Sequence, residues 1–282
     1  MSYERPVNLE QALTLLSRES WKVLAGGTDF YPFLRNRPAT GNILDVSALE
    51  GLRSITSEND GWRIGALATW SDIIAADLPA AFDGLKLAAR EIGSIQIQNR
   101  ATLIGNICNA SPAADGVPPL LTLDAVIEIM SASATRQVPL RDFIHGNRDT
   151  DLQTDELVSA VLIPATSCKG TSSFIKLGAR KYLVISIAMV AVRLACADDG
   201  KFNDVAISVG ACSAVARRLS ELEEALTGMK MTDDLSGTIQ PRHFAALAPL
   251  DDVRAPAQYR LEAAAELVRR AITMAQGQGG WR

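Results

Sequence analysis

Leu9, Leu13 and Leu16 repeat at helical spacing behind Asn8-Leu-Glu-Gln11, an Asn form of the capping box, so the first element is a helix ending near Ser20. Trp21 to Ala25 is a short apolar run that stops at Gly26-Gly27. From Phe30 to Arg37 a helical pattern resumes, with Pro32 tolerated in its first turn. The succession is strand, glycine turn, helix. Asn42 to Ser47 predicts a second strand, and Leu52 to Glu58 with Trp62 to Leu67, joined through Asn59-Asp60-Gly61, predict a hairpin. Helices follow over Ser71 to Ala76 and Phe82 to Ile92. Gly93 to Pro119 then has little periodicity and is rich in Asn, Ser, Gly and Pro. Its Ile95, Ile97, Leu103, Ile104 and Ile107 argue against disorder, which leaves a long ordered loop of the kind that is usually functional.

Ala125 to Met130 and Arg136 to Leu140 predict a second hairpin, and Glu156 to Pro164 a strand that ends at its proline. The polar segment Ala165 to Gly170 marks a boundary. Beyond it, Ser173 to Leu177, Ser186 to Cys196 and Asp204 to Ala211 are predicted strands with a turn at Asp198-Asp-Gly200. Ser220-Glu-Leu-Glu223 reads as a capping box, and Gln258 to Ala275 as a long Ala-rich helix. Strands that follow helices early in the chain and strands that follow strands later give an α+β class, with a second domain of three strands and helices.

Composition narrows the function more than the fold. A chain of 282 residues with 48% apolar and 21% charged content can bury a sizeable core, and its net charge of −4 leaves no excess of Lys and Arg for nucleic-acid phosphates or anionic lipid. The longest nearly apolar stretch, Tyr182 to Val192, is interrupted by Ser186, closed by Arg193 and shorter than the roughly 20 residues of a spanning helix. Met1-Ser-Tyr-Glu-Arg-Pro carries no secretory pattern, so the expected compartment is the cytoplasm and the four cysteines are expected to be thiols. Cys108, Cys168, Cys196 and Cys212 form no C-x-x-C pair, and His145 and His243 are the only histidines, so no metal site is expected. A chain this poor in acid–base and metal-ligating residues is expected to bind a group that brings its own chemistry.

Two segments are candidates for holding it. Leu24-Ala-Gly-Gly-Thr-Asp29 lies where a strand gives way to a helix, and two glycines let backbone N–H groups gather on one side, a nest suited to phosphate. Asp29 is expected to cap or orient the following helix, and Thr28 to donate a hydroxyl bond. On its own the Gly-Gly pair fits a plain tight turn equally well, and the G-x-G-x-x-G spacing of a Rossmann site is absent. Gln96 to Asp115 is the second segment. Thr102, Gly105 and Asn106 allow close backbone approach and hydrogen bonding, and Asp115 can accept from a ribose diol. Cys108, between Ile107 and Asn109, reads as a buried small residue.

Together these segments resemble the FAD-binding subunit of the molybdenum hydroxylases, the family of xanthine dehydrogenase, aerobic carbon monoxide dehydrogenase and bacterial N-heterocycle dehydrogenases. The first matches the family's A-G-G-T/H-D/S loop, the second its T-I-G-G-N-I…S-P…D signature, and weaker likeness runs almost end to end. The resemblance implies an FAD-binding domain of the vanillyl-alcohol oxidase type over residues 1–168, with subdomains near 1–55 and 56–168. A C-terminal domain with a three-stranded antiparallel sheet would occupy 169–282. By position, Val23, Leu24, Ala25, Gly26, Gly27, Thr28 and Asp29 would wrap the pyrophosphate, while Thr102, Gly105, Asn106 and Asn109 would complete the grip. Asp115 would hold the adenosine ribose. Val158 and Lys176 match positions near the flavin, although Lys176 also fits an exposed strand lysine, and the loop Gly178 to Ile185 corresponds to a segment near the isoalloxazine ring.

Where the family has two glycines this chain has Ile104-Gly105, and a β-branched residue there would be strained if the position took a positive φ. The implied function is electron transfer from two-iron, two-sulfur clusters on a small partner subunit through FAD to an external acceptor. The substrate would be hydroxylated at a molybdopterin cofactor on a large subunit, in a dimer of heterotrimers. No catalytic side chain is then expected on this chain. A stand-alone flavin-dependent oxidoreductase is the alternative and would need its own proton donor, with Ser111 and Cys108 as candidates. A cofactor-free assembly protein is a third, hinted at by Ile104 alone.

Overall fold

Asn8 caps the first helix of the computed structural model, its side chain accepting from the Gln11 N–H at 2.8 Å. The structure describes residues 2–277 apart from Asn36 and Asn59, so Met1 and the first residue of the predicted Asn59-Asp60-Gly61 turn lie outside it. β1 (Tyr3–Glu4), α1 (Leu9–Arg18), β2 (Trp21–Leu24), α2 (Phe30–Leu34) and β3 (Asn42–Asp45) form the first layer. β3 lies in the middle, parallel to both β1 and β2, and α1 and α2 supply crossovers that parallel pairing requires. α2 stops earlier than the apolar pattern predicts, because Arg35 turns left-handed at φ 47° and its N–H bonds back to the Pro32 carbonyl.

The next stretch runs β4 (Ile55–Glu58), β5 (Gly61–Gly65), α3 (Trp70–Ala75), α4 (Asp83–Glu91), α5 (Ile95–Gln98), α6 (Leu103–Asn109) and α7 (Val117–Thr122). It continues as β6 (Val126–Met130), β7 (Thr135–Pro139), α8 (Leu140–Phe143), β8 (Ile144–Gly146), β9 (Asp149–Thr150) and β10 (Leu157–Pro164). Five of these strands make an antiparallel sheet in the order β4-β5-β10-β6-β7, with β10 central and almost wholly buried. Both predicted hairpins are present. The long ordered loop predicted from Gly93 to Pro119 is instead α5, α6 and the start of α7. Each is four to seven residues long, too short for an apolar period to repeat.

β11 (Thr171–Leu177), β12 (Ala188–Cys196), β13 (Phe202–Gly210), β14 (Arg217–Arg218), α9 (Ser220–Leu226) and α10 (Ala257–Ala275) complete the chain. The C-terminal sheet thus has four strands, not three, in the order β11-β12-β13-β14. β14 is two arginines paired to Ser208 and Val209, an edge with no apolar alternation to announce it. The predicted capping box at Ser220 does not form either. Leu219 takes the cap position, and the Glu223 carboxylate accepts from the Ile207 N–H at 2.8 Å and from Arg218, tying α9 to the sheet.

One apolar core joins the first two sheets with α1, α3, α4 and α6 to α8, and a second lies between the C-terminal sheet and α10. β12 is buried on both faces. Ala188, Val190, Val192 and Leu194 join the second core, while Met189 and Ala191 pack with Phe174 against Ala88 of α4. On that latter face Arg193 is fully buried, donating to the Thr122 carbonyl at the end of α7 and to Asp204, both at 2.7 Å. α3 is fixed by a capping box: Thr69 accepts from the Asp72 N–H, and Asp72 accepts from the Thr69 N–H and bidentately from Arg53. Burial works to raise the Asp72 carboxyl, but Arg53 and Thr69 outweigh it and hold it below its ordinary value of 3.8.

Arg193→Ala leaves the buried Thr122 carbonyl without its donor, so urea denaturation should register a loss of about 1–3 kcal/mol. Asp204→Asn takes the counter-charge at 2.7 Å from a fully buried guanidinium and should cost about 1–3 kcal/mol. Thr69→Ala should destabilise by about 1 kcal/mol. Because the Asp72 value is depressed on folding, its contribution is present above pH 3.8 and lost as pH falls through the lower folded-state value. A pH series of melting curves comparing wild type with Asp72→Asn measures that loss.

Candidate functional site

β2 ends at Leu24, and the chain turns through Gly26 and Gly27 into α2; Gly27 has φ 75°, open to glycine and strained for other residues. The N–H groups of Gly26, Gly27, Thr28 and Asp29 donate to no protein acceptor among the described residues, which leaves a row of free donors on the turn. The Asp29 side chain does not cap α2, contrary to expectation. Asp29 already has right-handed backbone, and its carboxylate instead meets Arg148 at 3.4 Å. Arg148 also lies over the Phe33 ring, 5.2 Å from its centroid, and its N–H bonds to the Ala110 carbonyl.

The second segment is built around α6. Thr102 is its N-cap and accepts from the Gly105 N–H at 2.9 Å; a Cβ at Gly105 would press to 2.8 Å from the Thr102 hydroxyl. Ile104 lies inside this helix with right-handed backbone, so no strain attaches to it, and its side chain is buried. Neighbouring elements hold the segment in place. Thr69 bridges Thr102, the Trp70 N–H donates to the Ala101 carbonyl at 3.1 Å, and the Leu103 N–H to the Ala68 carbonyl at 3.0 Å.

The two segments touch. A Cβ on Gly26 would lie 1.9 Å from the Arg100 carbonyl oxygen, so only glycine allows this approach. Between them opens a cleft of about 500 Å³. Of the predicted site residues, Val23 to Asp29, Thr102, Gly105, Asn106, Asn109 and Val158 line it. Trp70, Phe33 and Arg148 line it as well and were not predicted. Trp70 lies one residue before the helix predicted from Ser71 and carries no motif, and Arg148 lies 119 residues from Asp29 with no local pattern to mark it.

Asp115 and Lys176 lie outside the cleft wall and face each other. Their side chains form a buried ion pair at 2.7 Å, Ser186 donates to the other Asp115 oxygen, and Lys176 also donates to the Val184 carbonyl at 3.2 Å. Lys176 is therefore not an exposed strand lysine. Burial pushes the Asp115 carboxyl up from its ordinary value, and Lys176 and Ser186 act against that rise. Cys108, on the cleft wall, has its thiol pushed up to about 12 by burial, so it stays protonated and uncharged. Among the described residues no cluster of three His, Cys, Asp or Glu side chains is placed to hold a metal ion, and no helix is long and apolar enough to cross a membrane.

Residues 1–166 match the family model for the FAD binding domain in molybdopterin dehydrogenase, and residues 173–275 that for the CO dehydrogenase flavoprotein C-terminal domain. The chain is 31% identical to the glyceraldehyde dehydrogenase medium chain of Sulfolobus acidocaldarius, over 96% of each chain. It is 30% identical to the xanthine dehydrogenase FAD-binding subunit of Escherichia coli O157:H7, over 99% of this chain and 97% of that one. In structure it is similar to a chain of reconstituted CO dehydrogenase from Oligotropha carboxidovorans, with a TM-score of 0.90 and 28% identity, covering 99% and 98% of the two chains. With two glycine-bearing segments meeting across one cleft and both family models matched in order, the chain belongs to the FAD-binding family of the molybdopterin dehydrogenases.

Proposed function

We propose that FAD binds along this cleft and that the chain is the electron-transfer subunit of a heteromeric molybdenum hydroxylase. One observation carries the assignment: two segments more than seventy residues apart in sequence meet in backbone contact at Gly26 and Arg100, and open onto a single cleft. The residues present fit the cofactor. Free N–H donors on the first turn suit the pyrophosphate, and the buried Asn106 carboxamide oxygen has no protein partner. A volume of about 500 Å³ matches what a bound cofactor commonly occupies.

Val23 to Asp29 wrap the pyrophosphate from one side, and Thr102, Gly105, Asn106 and Asn109 from the other. By pairing with Asp29, Arg148 keeps that carboxylate from repelling the phosphates and adds a positive charge at the cleft. Val158 supplies an apolar wall toward the flavin. The resemblance assigns Asp115 to the adenosine ribose and Lys176 to the flavin side; the two pair at 2.7 Å outside the cleft wall, so the pair can serve only one of these ends. Bound FAD supplies the redox chemistry, taking up electrons and passing them on. No side chain of this chain acts as an acid or base in that exchange. A stand-alone reductase would need a proton donor in the cleft, and the Cys108 thiol, held to about 12, is a poor one.

The fold assignment is the vanillyl-alcohol oxidase type, with subdomains near 1–55 and 56–168 and a C-terminal domain over 169–282. The partners are a small subunit with two two-iron, two-sulfur clusters and a large molybdopterin-binding subunit, in a cytoplasmic dimer of heterotrimers that reduces an external acceptor. Matches to subunits named as medium chains and FAD-binding subunits support this placement.

Full-length chain should purify with, or take up, one FAD absorbing at about 450 nm, and a chain that takes up none overturns the assignment. Gly26→Ala drives the two segments apart and should abolish FAD retention, read by flavin released on denaturation. Arg148→Ala leaves Asp29 facing the phosphates and should weaken FAD binding about tenfold in fluorescence titrations. That loss should shrink at high salt, because both Arg148 and Asp29 are exposed.

A further inference from the structure

Two contacts tie the glycine turn to the rest of the site, and they differ in kind. Gly26 meets the Arg100 carbonyl backbone on backbone. Further along the same turn, the Asp29 carboxylate accepts from Arg148 at 3.4 Å, and the Phe33 ring lies under the same guanidinium, 5.2 Å away at its centroid. Asp29, Phe33 and Arg148 all line the cleft, yet each is more than half exposed. A residue that both lines a cleft and is open to water stands at its mouth. The free N–H groups of Gly26 to Asp29 run from the first contact to the second. A pyrophosphate seated on them therefore lies between a backbone wall and a bridge of side chains.

The two sides differ in how readily they part. The backbone contact opens only if whole segments separate. The bridge rests on less: α2, which carries Phe33 and begins just after Asp29, buries none of its five residues. Elements with little buried apolar surface open at low cost. Arg148 has a firmer base, since the β8–β9 pairing holds its turn and its N–H donates to the Ala110 carbonyl at 3.1 Å. Its guanidinium donates to no protein acceptor but Asp29 among the described residues. An exposed ion pair and an exposed cation–ring contact are both weak. FAD carries a ring system at each end of its pyrophosphate, so a side-chain bridge beside the pyrophosphate seat stands in the path of a bulky group.

We propose that Asp29, Arg148 and Phe33 form a latch at the mouth of the cleft, which opens by movement of α2 to admit or release FAD and closes beside the seated pyrophosphate. The inference rests on the cleft being the FAD site. It assigns Phe33, which no motif marks, to the control of cofactor exchange, and gives Arg148 a role besides shielding Asp29.

Phe33→Ala removes half of the latch and no charge. In stopped-flow flavin fluorescence with the full-length chain, FAD association and release should both accelerate about tenfold, with Kd changed much less. Faster release with unchanged association overturns the inference and makes Phe33 a plain contact to FAD. Two unchanged rates overturn it as well. A second test locks the latch: Phe33→Cys combined with Asn147→Cys, joined by a bis-maleimide, keeps both Asp29 and Arg148. Joined before FAD is added, the chain should take up none; joined with FAD bound, it should release FAD at least about tenfold more slowly than the unjoined double variant. Either single-cysteine variant, treated with the same reagent, should exchange FAD as its untreated form does. The two tests use different substitutions, so one decides if the other variant does not fold. Exchange unaffected by the cross-link overturns the latch while leaving the FAD site standing, and wild-type chain without affinity for FAD overturns both.

Discussion

No side-chain atom fits between Gly26 and the Arg100 carbonyl, and the site is arranged around that contact. It presses the turn after β2 onto the residues that lead into α6, and so joins a parallel three-stranded sheet to the helices of the antiparallel one. Once the two backbones touch, the faces beside the contact are fixed relative to each other: free N–H groups on one side, the capped start of α6 on the other. α3 serves the same contact from behind, since Trp70 and Ala68 hydrogen-bond to the backbone on either side of Thr102. A cofactor grip made of main chain is hard to misplace, because it depends on the path of the backbone and not on the rotamers of long side chains.

The C-terminal part is more than an appendage to this grip. Lys176 on β11 and Ser186 before β12 both reach Asp115, the last residue of the second motif, and Arg193 and Arg218 anchor the end of α7. At Asp115–Lys176 and at Arg193 a buried charge crosses between the two apolar cores, whereas buried Arg260 pairs with Asp252 inside the C-terminal part. Such pairs contribute less to net stability than to holding one arrangement of the parts, because an ion pair out of register leaves a buried charge exposed to no partner.

Much of the fold can be read from the sequence, for identifiable reasons. Asn8, the glycine turn, the two hairpins and the doubly buried β12 each carry a local signal, in capping chemistry, positive φ or apolar run. The three short helices after Ile95 carry none, because no apolar period repeats within seven residues, and β14 is an edge of two arginines. Ser220 has the letters of a capping box, but Arg218 draws the Glu223 carboxylate away from it. At the site, the cleft lining supplied by the two motifs was legible, since main-chain grips need glycines. Arg148 and Trp70 were not, because each is brought to the cleft by tertiary packing and has an ordinary neighbourhood in sequence. Lys176 gave no direction on its strand, and only the folded chain turns it toward Asp115.

Ile104 bears on how the second motif is recognised at all. Its branched side chain sits in ordinary right-handed helix, buried and on the cleft wall, so the first position of the Gly-Gly pair needs no positive φ and here carries a bulky residue. Only Gly105, whose missing Cβ leaves the Thr102 cap intact, is held by geometry. A search pattern that demands two glycines would pass over chains like this one, whereas a pattern of one glycine three residues after a capping threonine would retain them.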